Sequence, residues 1–468
     1  VCINVVEAGA DPTGETSINP VLDEIPLTDG TTLFFPRGDY VMDDQFRHTG
    51  FDGFELRGDD ATIVPAADYE GRWLFKLGTY ESPGDDLLVE GFTFDFTADD
   101  AGLRVVQAQV EDDLLVRNLT VDGRHDSGRY GPFLFDVTDP SGIGTVENLR
   151  LPDGGAFSVN TPGDINVGPT GLLVSPYHRG KLWVRDCVVG PWPDNGLYCS
   201  TVDGRVVVQG GTYKNSNVAS IRLSGDYSYV RDATVVVDRQ WAEGTNQRGI
   251  RLDRGKYLWV EGTEVVLERP NGRAISVHGD VEWARIQNSR VAVRGETPTK
   301  GITISPESGR VDIIDSEIAF DTPGQALEIE GPSHAEADPV LVLRTSIDGV
   351  GDGSHGRHAV RAERGNSTFD RLDVRQTGGD FRRGIKILGD GCTVVWGDHY
   401  TTHIPVVNDA DGTTFRGVTA KSLGGYEAAK FLDGSDDVAC VECTLYNGVW
   451  EQGDVDVAYD GNWFLSSA

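Results

Sequence analysis

The chain has 468 residues, 74 acidic and 41 basic, giving a formal net charge of −33. That length exceeds what one compact core serves, so it implies several domains or an elongated repeat. The charge excludes nucleic acid as an expected partner, because phosphate binding needs a basic face; no apolar run reaches the roughly 20 residues that span a bilayer, so no transmembrane segment is expected.

The chain opens with "INVVEAGADPTGETSINPVLDEI", followed by "TTLFFPRGDYVM". Ile18, Val21, Leu22 and Ile25 have helical spacing, which predicts a short helix over 17–25 covering a first coil. Gly9, Ala10, Asp11, Thr13 and Gly14, then Pro36, Gly38 and Tyr40, carry a resemblance to the opening of the pectate-lyase-like β-helix superfamily. In that family an Asn-Val strand, a "GA-D-x-T-G" turn and a short helix lead into an apolar strand ending "PxGxY". The Asp-Asp pair that usually opens the helix is replaced here by "ETS". The resemblance implies an all-β fold, a right-handed parallel β-helix (solenoid) with a short N-terminal capping helix. It leaves the chemistry open, since the superfamily holds lyases, hydrolases, epimerases and inert fibres. The expected division is 1–45 for the cap and first strand, 46–445 for the parallel β-helix and 446–468 for a C-terminal cap segment.

Residues from about 123 to 169, rich in Gly, Pro, Asp and Asn, interrupt the coil rhythm. Long excursions in repeat folds usually carry function or line a binding face; folded over the arginine-rich sheet of the repeats that follow, this one would wall a cleft, with His125, Asp126, Arg129 and Tyr130 near the early coils.

From residue 171 a short phrase returns, mostly every 21 to 29 residues or so with one longer gap near 331 to 357: "GLLVS", "GLYCS", "SIRLSG", "GIRLDRG", "AISVHG", "GITIS", "ALEIEG", "AVRAERG", "GIKILGDG". Between these run period-2 segments such as "LWVRDCVV" and "LWVEGTEVVL", broken by Gly, Asp or Asn at turns. No 3.6-residue apolar stripe appears after residue 30, which excludes helical repeats. Several short strands per repeat, each unable to bury its apolar face alone, independently indicate a parallel β-helix. Cys187, Cys199 and Cys392 fall in strand-like runs and read as small buried apolar residues; Cys440 and Cys443, in "CVEC", close a loop, bind a metal or stay reduced.

Alternation fixes direction. In "GIRLD" Ile250 and Leu252 face inward, so Arg251 and Asp253 face outward. Stacking the repeats gives one outward column of Leu173, Tyr198, Arg222, Arg251, Ser276, Thr303, Glu328, Arg361 and Lys386. A second holds Ser175, Ser200, Ser224, Asp253, His278, Ser305, Glu330 and Glu363. Asn195, Arg248, Arg273, Lys300, Gln325, His358 and Arg383 precede the strands.

Two readings of this arginine-rich face stand side by side. In one it is a groove for an extended acidic polysaccharide or cell-surface glycan, with guanidinium forks on carboxylate or sulfate. Asp194, Asn195, Tyr198, Arg222, Arg248, Arg273, Arg361 and Lys386 are then the substrate-binding residues. In the other it is a ladder of ion pairs, Arg361 with Glu328 among them, each contributing at most roughly 1 kcal/mol. If the face is catalytic, His278 is the titrating candidate, with Asp253 and Arg251 beside it. Glu330 and Glu363 are the candidate ligands for a cation, with Ca²⁺ as the ion expected near a uronate. The aspartate series of the hydrolytic branch is missing: "PDNGLY" and "GIKI" echo it, but Asp194 lacks its neighbour.

Eight of the basic residues are lysine, a balance similar to that of proteins of haloarchaea and their viruses, so an extracellular or cell-surface location in strong salt is expected. Two function classes remain: a carbohydrate-active lyase or hydrolase, and a non-catalytic structural, adhesive or tailspike-like fibre able to form homo-oligomers or filaments.

Overall fold

The computed structural model describes residues 1–244, 246–332, 338–379 and 381–466. The chain forms two compact units, Val1–Thr234 with Trp241–Gly244, and Val235–Gln240 with Thr245–Ala468. Each is a parallel β-solenoid, as the repeats predict.

In the first unit one sheet stacks the strands Phe46–His48, Trp73–Leu77, Arg104–Val110, Phe133–Val137, Leu172–Val174, Asn195–Cys199 and Ala219–Ser224. Their pairing is in register, so Phe46, Phe75, Val106, Phe133, Leu172, Leu197 and Ile221 form one buried column. In the second unit the corresponding sheet stacks Ile250–Gly255, Ile275–Val281, Thr299–Ile304, Gly324–Ile329, His358–Ala362, Arg383–Ile387, Val406–Asn408, Ala429–Phe431 and Val449–Glu451. There Ile250, Ile275, Ile302, Leu327, Val360, Ile385, Val406 and Ala429 make the buried ladder. β-Branched side chains suit this position because their restricted χ1 costs little in extended backbone.

The remaining strands of each coil meet at a bend whose central residue is left-handed. In the first unit Asn118, Asn148, Asp186 and Asp232 sit there with φ between 50° and 55°. In the second, Asn288 (48°) and Asp315 (49°) give way to Arg344 (46°), Arg371 (51°) and Trp396 (49°). Asn and Asp tolerate this conformation better than other L residues because their short polar side chains bond locally. Arg344 is held there by a two-pronged contact from Nε and Nη2 to Asp315 at 2.6 and 2.8 Å. Asn288→Ala should therefore cost about 1 kcal/mol, read as a lower urea midpoint with an unchanged slope. An unaltered midpoint would show that the bend does not depend on the residue's own preference.

The opening motif has a physical explanation. Asp11 accepts from the Thr13 and Glu15 N–H groups at 2.9 and 3.1 Å, closing the turn. A Cβ at Gly38 would lie 2.7 Å from Pro12, so only glycine lets the two segments touch. The helix is Asn19–Glu24, six residues long, with Ile18 and Leu22 buried. Cys187, Cys199 and Cys392 are buried free thiols, and so are Cys440 and Cys443.

The segment 123–169 departs from expectation. It contains a full coil: Phe133–Val137 pairs in register with Arg104–Val110 and with Leu172–Val174, and Ile143–Glu147 with Leu114–Arg117 and Lys181–Arg185. Residues 123–132 and 152–171 form two loops flanking that coil, joined by a parallel bridge between His125 and Gly155. Gly, Pro and Asp in those loops dilute the apolar pattern and hide the strands between them.

Candidate functional site

Each unit presents the outer face of the stacked sheet just described. In the second unit the outward column reads Arg251, Ser276, Thr303, Glu328, Arg361, Lys386, Val407, Lys430 and Trp450. Ile250 and Leu252 are fully buried and Arg251 is half-buried, as alternation requires.

The arginines of this column are engaged. Arg251 Nε donates to Asp253 at 2.6 Å, two residues along its own strand. Lys300 pairs with Glu328, and Lys386 Nζ lies 3.1 Å from Asp409. The expected Arg361–Glu328 pair is replaced. These residues are register neighbours, but Arg361 Nε donates to Glu363 at 2.5 Å, the same-face residue of its own strand. Over this stretch Arg251 and Arg361 are paired along their own strands and Lys300 across to Glu328.

This arrangement bears on the other candidates. The guanidinium of Arg251 occupies Asp253, so two members of the proposed trio are engaged with each other. His278 is half-buried and lies where the strand pairing shifts between Leu252 and Arg254. Glu363 also accepts from the Gly331 N–H at 2.9 Å. The Glu330 carboxyl is raised by burial and by the charge of Glu328, against Lys300 and Arg273. No group of three or more His, Cys, Asp or Glu side chains suited to a metal occurs among the described residues. Arg248 and Arg273 are half-buried at the strand entries.

In the first unit Arg222 stacks on Tyr198, its register neighbour, at 4.3 Å. Asp194 accepts from Thr170 Oγ1 at 2.7 Å and from Asn195 Nδ2 at 3.0 Å. Asn195 is fully buried, so it supports the corner from inside and offers nothing to a groove.

The early coils of this unit hold a cradle that the repeated phrase does not mark. Trp73 and Arg104 are register neighbours, as are Lys76 and Gln107, and Gln109 and Asp136. Trp73 Nε1 donates to Gln107 Oε1 at 2.8 Å, and Lys76 Nζ lies 4.5 Å from the Trp73 ring centroid. Gln107 Nε2 reaches Gln109 at 3.3 Å, and Gln109 Nε2 reaches Asp136 at 2.8 Å. Ser175 completes this chain by donating its N–H and hydroxyl to Asp136 at 2.8 and 2.5 Å. Asp136 is fully buried, and burial pushes its carboxyl up against those hydrogen bonds.

Loop 123–132 supplies the wall. Arg129 Nη1 donates to the carbonyls of Tyr69 and Gly71 at 2.6 and 3.2 Å, strapping the loop down. The Tyr130 carbonyl accepts from His125 Nε2 at 2.8 Å; His125 is fully buried, its pKa pushed down to about 4 by desolvation. His125 is therefore a neutral support for the loop. Burial also raises the Asp126 carboxyl.

The Tyr130 ring then faces three groups: Trp73 at 6.2 Å, Arg104 at 5.3 Å and Arg72 at 5.6 Å. Arg104 is buried, its pKa lowered to about 10 by desolvation, and its Nε donates to the Gly131 carbonyl. Among the described residues Arg72, Lys76 and Arg104 make no ion pair. An adjoining cleft of about 250 Å³ is lined by Arg72, Arg129, Tyr130, Asp164 and Ile165 among others, so loop 152–171 closes its far side. Positive charge next to two aromatic faces suits an anionic ring compound. The period-2 runs "WLFKL" and "RVVQAQV" were the available signal.

No family model matches the sequence, and no curated protein sequence matches it. Solved structures do. The tailspike protein of E. coli bacteriophage HK620 in complex with pentasaccharide aligns over 98% of this chain and 80% of its own, at 12% identity and a TM-score of 0.50. The ORF18 protein of Geobacillus virus E2 aligns over 75% of this chain at 11% identity and a TM-score of 0.38; the alignment covers 61% of that protein, less than two thirds of its length. The catalytic unit of an α-1,3-glucanase from Streptomyces thermodiastaticus covers 100% of this chain and 70% of its own, at 14% identity and a TM-score of 0.33. At these identities the likeness shows the fold alone, and the chain resembles the tailspike as a β-solenoid.

Proposed function

We propose that this protein binds an acidic polysaccharide, with the Trp73–Tyr130 cradle of the first unit as the site. The observation that carries this reading is the set of three cations without ion pairs, Arg72, Lys76 and Arg104, around two aromatic rings in a chain of net charge −33. Of the three, Arg104 is buried, and its desolvated charge is costly unless an anion arrives; Lys76 is half-buried, Arg72 is exposed, and flat rings offer their faces to sugar. The tailspike neighbour holds a pentasaccharide, which supports carbohydrate as the ligand class. An extracellular or surface location agrees with that neighbour, and no helix among the described residues is long and apolar enough to cross a membrane. In strong salt, which the composition favours, screening acts within about 3 Å, so direct contacts replace long-range steering.

Binding without cleavage is the form of this reading that the geometry supports best. Asp136, the carboxyl in the hydrogen-bonded chain of the cradle, is fully buried and occupied by Ser175 and Gln109. That favours an adhesive or tailspike-like fibre over a lyase or hydrolase. In a panel of acidic and neutral glycans at high salt, Trp73→Ala should weaken binding of the best acidic glycan at least tenfold, about 1.4 kcal/mol. Release of unsaturated or reducing ends from the same panel would overturn the non-catalytic form. Equal affinity in Trp73→Ala would overturn the site.

A further inference from the structure

The second unit carries another cationic face, formed by consecutive strands far along its sheet. His358 and Arg383 are register neighbours, as are Arg361 and Lys386, with Lys430 two strands beyond Lys386 in the same column. The Arg383 N–H donates to the Arg357 carbonyl at 2.7 Å, which brings these two arginines together. Arg361 and Lys386 have their carboxylates, Glu363 and Asp409. Arg357 and Arg383 have none among the described residues; the hydrogen bond of the Arg383 side chain, from Nε, goes to His403 Nδ1 at 3.3 Å.

Aromatic rings accompany these charges. His403 stacks on Tyr426 with centroids 4.0 Å apart and lies 5.6 Å from Phe381, while Lys430 Nζ sits 3.6 Å above Trp450. Phe381, Tyr426 and Trp450 are 54, 41 and 46% exposed, so these rings are open to a ligand. Two clefts share Phe381: one of about 370 Å³ also lined by Thr402, Leu423 and Tyr426, the other of about 410 Å³ lined by Asp352, Ser354 and Arg357.

Among the described residues the balance of charge here is positive. His358 is pushed down to about 3 by burial and by Arg383, Lys386, Arg361 and Arg382. Burial and Arg383 lower His403 and Lys430 as well, with Glu427 opposing. Asp352 is the nearby acid of the second cleft, and Ser354 N–H and hydroxyl already donate to it. Like charges held together at a half-dry surface repel, and an arriving anion relieves that repulsion.

We propose that this face is a second, separate glycan subsite. In it Arg357 and Arg383 take the carboxylate or sulfate of an acidic sugar, while Phe381 and Tyr426 contact its ring. Forked guanidinium groups suit either planar carboxylate or sulfate oxygens. The assignment uses the glycan-binding reading only to identify the ligand as a sugar; capture of an anion follows from the charges themselves.

Calorimetry on the full chain tests it, with four probes: trigalacturonate, a sulfated galactan trisaccharide, maltotriose and inorganic sulfate. Wild type should bind one or both acidic trisaccharides at two sites per chain, and the stronger of the two names the anionic group. Arg357→Gln and Arg383→Gln should each weaken one site at least tenfold and leave the other, which Trp73→Ala removes instead. Maltotriose should not bind the Arg357 site. Arg357 is exposed, so its substitution does not put folding at risk. Two equal sites of wild-type affinity in both arginine variants would overturn the second subsite while sparing the cradle. Sulfate bound by wild type and lost in Arg357→Gln, with no trisaccharide bound anywhere, would keep the anion site and overturn the glycan reading.

Discussion

Replacing Arg364 with methionine is expected to destabilise the second unit by about 3–5 kcal/mol. Arg364 is fully buried. Its Nη1 donates to the carbonyls of Ser308, Gly309 and Asp338 at 3.0, 3.0 and 3.2 Å, and its Nη2 to the Ser305 carbonyl and Ser308 hydroxyl at 2.7 and 3.2 Å. One planar group thus satisfies turn carbonyls from different coils. Methionine fills the volume but takes these donors from the turn carbonyls, of which Ser305's keeps the Ser308 N–H and hydroxyl; each acceptor left unpaired costs about 1–3 kcal/mol before relaxation. Lysine should rescue little, since a point charge with three donors does not span the same acceptors. Urea unfolding of both variants reads the effect, and a midpoint within error of wild type in Arg364→Met would remove the clamp from the account.

Acid should weaken the protein between about pH 6.5 and pH 4, before most carboxylates are protonated. His125, His178 and His399 are fully buried, and desolvation pushes each pKa down to about 4. In the unfolded chain each imidazole takes its proton near pH 6.5. Within the window between those values the unfolded state binds more protons, so stability is full above the upper limit and is lost as pH falls toward the lower one. Each ring contributes about 3 kcal/mol to that loss. Asp136, whose carboxyl is raised by burial, acts in the opposite direction and offsets part of it. Both ring nitrogens of His399 are buried without a partner, so His399→Leu should flatten the decline and raise stability at pH 5. Urea midpoints at pH 7, 5.5 and 4.5 decide this; an identical slope in the leucine variant would show that His399 does not contribute.

The winding was legible because period-2 runs recur at a steady spacing. Ile250 and Leu252 declared the inside, and Arg251 the outside, from alternation alone. The partners of the arginines were also within reach of the sequence: "RLD" and "RAE" place a carboxylate two residues on, which is the same face of the same strand. The cross-strand pair expected between Arg361 and Glu328 loses to that shorter connection. The cradle was not legible. Its strands lack the glycine-framed phrase, and the rings meet only because loop 123–132 is strapped down by Arg129. Arg364 and Arg382 also escape pattern reading, since each lies just outside the alternating part of a strand and turns inward to collect carbonyls.

The left-handed bends and the coil-to-coil pairing within each unit carry a consequence for how such a chain tolerates change. Removing one residue between two bends would reverse every side chain downstream to the next bend, turning isoleucine to water and arginine to oil. Length is therefore exchangeable only in whole laps, or at the lateral loops, where no lap is counted. New specificity is most cheaply written into 123–132 and 152–171, the margins of the scroll, while its lines keep their spacing.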